Sequence, residues 1–145
     1  MNPIIDASVA AKWFNEEEFT EQAVDLKDRQ VRAEIELAAP SHLFYEVGNS
    51  IWRNPQLSDK DARDAMASLA GLEITLFAPQ TERVARTMEI ARMRRVSFYD
   101  AAYIQTAEEC EATLITADEV QLEAAKGIVQ AIHLRDTGRD QGSRS

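Results

Sequence analysis

Residues 3–14 read PIIDASVAAKWF. A short apolar run over residues 3–6 ends on an acid, and Val9, Ala10, Trp13 and Phe14 then recur at helical spacing. This is a strand passing directly into a helix, with Asp6 or Ser8 placed to cap it. The same alternation continues along the chain. Residues 20–32 predict a helix. Residues 34–39 (EIELAA) predict a second strand closed by Pro40, and Ser41 is the expected N-cap of a helix over 43–53 that Asn54-Pro55 ends. Ser58 and Asp61 open a further helix in capping-box fashion, and Gly71 stops it. Residues 73–77 (EITLF) predict a third strand, with a helix capped by Thr81 after it and another over 98–109. Residues 112–116 (ATLIT) predict a fourth strand. A short helix over 119–126 stops at Gly127, and residues 128–134 hold a fifth strand. Strands alternating with helices imply an α/β fold with a mainly parallel sheet. In such sheets the site lies beyond the carboxyl ends of the strands. Asp6 ends the first strand and Asp118 follows the fourth, so the two share a crevice if those strands are neighbours.

The chain has 145 residues, 45% of them apolar, with few Gly and Pro, which fits one ordinary domain with a real core. Residues 1–135 are expected to form that domain, and residues 136–145 (DTGRDQGSRS) a flexible polar tail. The net charge of −9 excludes gripping nucleic acid by a general positive field. Any such activity must come from a local site. The lone Cys110 precludes an intrachain disulfide, and a small buried residue near a helix end is the expectation for it. The N-terminus lacks a signal-peptide pattern and no stretch has the length of a membrane span, so a cytoplasmic protein is expected.

Four acids stand in apolar settings: Asp6, Glu46 in a helix lined with Leu43, Phe44, Val47 and Ile51, Asp100 in FYDAAY, and Asp118 after LITA. Burying an unpaired charge is costly, so each needs a reason. Singly, a cap suffices for Asp6 or Asp118, and a pairing with Arg53 or Lys12 for Glu46. Together, four acids from four segments fit a shared site for hard divalent cations, Mg²⁺ or Mn²⁺, which take oxygen ligands. Such cations relieve the mutual repulsion, activate water and stabilise a leaving oxygen without a histidine base. His42 and His133 are expected to be structural or surface residues. Asn49, one helical turn after Glu46, is placed to orient it or a water, and Ser8 and Thr116 to hydrogen-bond the acids. Lys12, Arg94 and Arg95 are candidates for RNA phosphates, and Trp13 and Trp52 for either base stacking or core.

These segments resemble the PIN-domain family, and within it the VapC-type toxins. IIDASVAAKWF is similar to the first family motif, YEVGNSIW with Glu46 and Asn49 to the second, FYDAAYIQTAE with Asp100 to the third, and LITADEV with Asp118 to the last. The resemblance runs from Ile4 to Leu134. It implies a five-stranded parallel sheet in the order 3-2-1-4-5, flanked by helices in three layers. It also implies Mg²⁺- or Mn²⁺-dependent endoribonuclease activity, with Asp6, Glu46, Asp100 and Asp118 both catalytic and metal-binding. Further implications are a homodimer, an RNA substrate and a cognate VapB-like antitoxin that inserts into the acidic site. Two alternatives share the fold: a partner-binding protein with little catalysis, and a nuclease of RNA processing. A phosphoaspartate phosphatase would show Asp-x-Asp where this chain has Asp6-Ala7-Ser8.

Overall fold

The computed structural model describes residues 2–138. Its sheet has five parallel strands: β1 (Ile4–Ile5), β2 (Ala38–Pro40), β3 (Thr75–Phe77), β4 (Leu114–Thr116) and β5 (Ala131–His133). They lie in the order β3-β2-β1-β4-β5, so β1 and β4 are neighbours in the centre, as the crevice requires. Ile4 pairs with Leu114 and Ile5 with Ile115, and all four are buried. Strands covered on both faces read as unbroken apolar runs, which is why these segments do not alternate.

Seven helices flank the sheet among the described residues: α1 (Ala7–Ala10), α2 (Thr20–Val31), α3 (Leu43–Trp52), α4 (Asp59–Gly71), α5 (Thr81–Arg94), α6 (Phe98–Cys110) and α7 (Glu119–Ala125). Helix α6 touches β1, β2 and β4. The wholly buried Ala101 and Ala107 let its backbone lie close to the strands, and Ile104 fills the space between. Short 3₁₀ turns, Ala11–Trp13 and Leu134–Asp136, follow α1 and β5. No described helix is long and apolar enough to cross a membrane.

Several boundaries differ from those the sequence predicts, because hydrogen bonds outside the predicted pattern claim the backbone. Residues 34–37 do not join the sheet: the Glu36 and Leu37 amides donate to the Asn2 and Gln30 side chains, and β2 runs through Pro40 instead of closing before it. Glu73 sits at φ 55 with its amide on Ala70, so β3 starts at Thr75. Ile128 and Val129 turn back to the Ala125 carbonyl, which delays β5 to Ala131. The N-caps of α3 and α5 are His42 and Gln80, one residue from the expected Ser41 and Thr81 on opposite sides. Ser41 instead joins its amide to the Phe77 carbonyl. Of the expected tail, Asp136 belongs to a 3₁₀ turn and Thr137 is buried on the Leu134 carbonyl, while 139–145 lie outside the described residues. Cys110 ends α6 exposed rather than buried.

Candidate active site

Asp6 leaves β1 as the N-cap of α1 and accepts the Ser8 amide at 3.1 Å. The two hydroxyls expected near it both donate to its carboxylate at 2.5 Å, Ser8 to Oδ1 and Thr116 to Oδ2. The same hydroxyls accept the amides of Ala117 and Asp118, at 2.9 and 3.0 Å. Two of these four bonds, Thr116 to Asp6 and Ala117 to Ser8, cross between the strands and tie the ends of β1 and β4 into one unit. Asp118 caps α7, accepting the Val120 amide on Oδ1 at 2.9 Å. Capping and site membership are thus compatible, since each carboxylate has lone pairs to spare.

Asp100 sits in the first turn of α6, where Ser97 caps its amide at 3.0 Å. Glu46, on α3, takes the Tyr103 hydroxyl at 2.7 Å on Oε1, and His42 Nε2 lies 3.1 Å from the same oxygen with no other partner. The predicted pairings of Glu46 with Arg53 or Lys12 are absent. Asn49 is exposed and makes no bond to Glu46, whose carboxylate is oriented by Tyr103 and His42 instead. Neither was assigned to the site from sequence. Tyr103 was nonetheless visible as the second tyrosine of FYDAAY, and His42 as a polar residue one turn before Glu46.

The electrostatics join the four acids. Burial pushes the Asp6 carboxyl up to about 6; the Ser8 and Thr116 bonds oppose this, and Asp118 adds to it. Burial also raises Asp100, followed by the charges of Glu46 and Asp118. Glu46 behaves in the opposite sense: burial pushes it up, but the His42 and Tyr103 contacts outweigh that and hold it below its ordinary value. Tyr103 keeps its proton, because burial and Glu46 both oppose ionisation. Among the described residues, however, no three His, Cys, Asp or Glu side chains are grouped so that they could hold a metal ion as they stand. Each acid is engaged by its own local partners instead.

A family model described as PIN domain matches residues 4–127. The chain belongs to the PIN-domain family. Two relatives of this PIN chain come from Pyrobaculum aerophilum. Ribonuclease VapC3 is 29% identical over 89% of this chain and 98% of its own length. Exonuclease VapC9 is 26% identical over 70% of this chain and 77% of its own. Among solved structures, PAE2754 from P. aerophilum superposes with a TM-score of 0.67 at 22% identity, covering 99% of this chain and 98% of that one. VapBC2 from Rickettsia felis, bound to a DNA fragment from its promoter, gives 0.66 at 9% identity, covering 92% and 98%. At such identities the structural likeness is one of fold.

The donors on this PIN scaffold suit a hard divalent cation. All are carboxylate oxygens, and Asp6 and Asp100 are raised by burial with neighbouring negative charge adding to it, a penalty that a cation relieves. The basic residues divide. Lys12, in the 3₁₀ turn after α1, is buried with its ammonium on Glu17 at 3.0 Å. Arg95 is exposed, in the left-handed turn between α5 and α6, and Arg94 lies partly buried against Gly127. Trp13 donates to the Ala23 carbonyl at 2.7 Å, whereas Trp52 is 78% exposed and is not core. His133 is buried and accepts the Arg135 amide.

The hydroxyl of Thr116 makes a sharp test of this framework. Thr116→Val keeps the shape but leaves the buried Asp6 Oδ2 without its donor and the Asp118 amide without its acceptor. A loss of about 2–4 kcal/mol is expected as a lower urea midpoint. Thr116→Ser, which retains both bonds, is expected to lose only about 1 kcal/mol.

Proposed function

We propose that this chain is a metal-dependent endoribonuclease and the toxin member of a VapBC-type toxin–antitoxin pair, acting in the cytoplasm. The observation that carries this reading is the charge coupling of four acids around the carboxyl ends of adjacent central strands. The ribonuclease and exonuclease names of the VapC relatives support it. Asp6, Glu46, Asp100 and Asp118 would hold Mg²⁺ or Mn²⁺, which when bound polarises a phosphoryl oxygen and makes water more acidic. The chain's own side chains set that site up. Ser8 and Thr116 fix both oxygens of Asp6, and Tyr103 keeps its proton on the bond to Glu46 Oε1 while His42 flanks the same atom. Arg94 ends α5 and Arg95 is in the turn that leads to α6, and both supply local positive charge for RNA phosphates. An antitoxin segment and a homodimeric state belong to the same reading.

The relatives' names point to two modes of cutting. Incubation of purified protein with linear and circular RNAs, including folded ones, separates them. Metal-dependent cutting of circles is expected, since an endonuclease needs no end, and Asp100→Asn is expected to abolish it. Cutting of linear strands alone would favour the exonuclease mode. No cutting by wild type in Mg²⁺ or Mn²⁺ would favour a partner-binding PIN protein.

A further inference from the structure

Next to His42 lies a cavity, about 210 Å³ in volume, that none of the chemistry above fills. It opens at the carboxyl ends of β2 and β3, between α5 and α6, so it shares the functional edge of the sheet with Asp6 and Asp118. Its walls are mixed, and four of the lining side chains are aromatic rings: His42, Phe77, Phe98 and Tyr99. The His42 ring forms the partition. It meets Tyr99 at 5.3 Å between centroids on the cavity side, and its Nε2 lies 3.1 Å from Glu46 Oε1 on the acid side. Tyr99 adjoins Asp100 in the chain. A ligand in this cavity is therefore one ring away from two of the four acids.

We infer that this cavity receives one unstacked base of the RNA, adjacent to the phosphate presented to the acids. The inference rests on the nuclease reading and deepens it. Charge favours this occupant. A chain of net charge −9 offers an RNA backbone no general attraction, so beyond the cation site and the local arginines affinity has to come from uncharged contacts. Stacking on aromatic faces is such a contact, and it tolerates an acidic protein. The walls are built beforehand. Arg83 lies 5.1 Å over the Phe77 ring and is clamped by Glu109, at 2.9 Å from Nε to Oε1 and 2.9 Å from Nη2 to Oε2. Phe98 and Tyr99, 39% and 60% exposed, stand at the mouth where a base would enter. Polar groups for its edge are present too: the Ser41 hydroxyl, and the Gln105 amide, which spends Nε2 on Glu109 at 3.0 Å and leaves Oε1 open.

The test follows amide and side-chain NMR signals of the full chain in Mg²⁺ during titration with AMP, CMP, GMP and UMP, with ribose 5-phosphate as the baseless probe. At least one monophosphate is expected to shift Thr87, Ala102, Gln105 and Thr106, which ribose 5-phosphate leaves in place. Phe98→Ala, a truncation at the exposed mouth, is expected to weaken that monophosphate about tenfold, the scale of one lost stacking contact, and to leave ribose 5-phosphate unchanged. Shifts confined to residues around Asp100 and Asp118, or none from any monophosphate, overturn the inference. Cavity signals that move with protein concentration rather than nucleotide give the face to a second copy of the chain and overturn it as well. RNA cleavage by the same sample reports separately on the nuclease reading, which survives if only the base-dependent shifts are missing.

Discussion

Asp6→Asn is expected to lose more than about 100-fold in RNA cleavage while becoming more stable at neutral pH, a pairing that only a functional buried acid produces. The fold holds the Asp6 carboxyl at about 6, above the 3.8 of an ordinary aspartate. Its ionised form is therefore the disfavoured one in the native protein. Above pH 6 the folded state carries that penalty in full. As pH falls from 6 towards 4 the folded protein takes up the proton before the unfolded chain does, and stability rises. The difference corresponds to about 3 kcal/mol. Asparagine removes the charge, and its amide can still meet Ser8 and Thr116 if the hydroxyls rotate. In metal-free buffer the variant should exceed wild type by about 1–3 kcal/mol at pH 7.5, and the gap should close below pH 4. Urea unfolding of both proteins across this range measures it. Subtraction removes the other titrations: Asp100 shares the sign of Asp6, whereas Glu46, held low, stabilises at higher pH. A variant less stable at every pH would make Asp6 a structural acceptor only. Full cleavage by the variant would remove it from the site.

What the sequence disclosed and what it hid follow one physical line. Strand and helix identities were legible because burial sets periodicity: β1 is apolar throughout and β4 is apolar up to Thr116, and α3 alternates Leu43, Val47 and Ile51 against its exposed Tyr45 and Trp52. The order of strands came through the resemblance rather than through periodicity. Strand ends were not legible, because single side chains decide them. Asn2, from across the fold, and Gln30, from the end of α2, capture the amides of Glu36 and Leu37, and nothing in the strand's own pattern announces that. At the site, the acids stood out as charges in apolar sequence, and Ser8 and Thr116 as hydroxyls two residues from an acid. Their interlocking across the β1–β4 boundary required the fold. The burial of Lys12 against Glu17 is not legible, because a basic residue near an acidic motif says nothing about where its stem lies. His42 was passed over for a related reason: its meaning lies in Tyr99 and Tyr103, more than fifty residues away.

Mg²⁺ or Mn²⁺ is expected to raise the unfolding temperature of the wild-type protein well beyond the effect of KCl at equal ionic strength. A ligand that binds only the folded state at 100 times its Kd adds about 2.7 kcal/mol, which for a chain of this size is about 5–10 °C. The choice of control decides the interpretation. Four mutually repelling acids gain from any salt through screening, and an exposed cluster would respond to K⁺ and Mg²⁺ in proportion to ionic strength. Asp6 is almost wholly buried, where mobile ions screen little, so relief there requires a cation in contact. Asp100→Asn separates these contributions further. The substitution removes a carboxyl raised by burial and by the charges of Glu46 and Asp118, so the variant is expected to be at least as stable as wild type without metal. Yet it should gain much less from Mg²⁺, because a carboxylate oxygen has been exchanged for an amide. Equal gains in both proteins would place the cation elsewhere. Equal gains from KCl and MgCl₂ would reduce the cluster to a screened patch of negative charge, and the coupling among the four acids would then have to serve the fold alone.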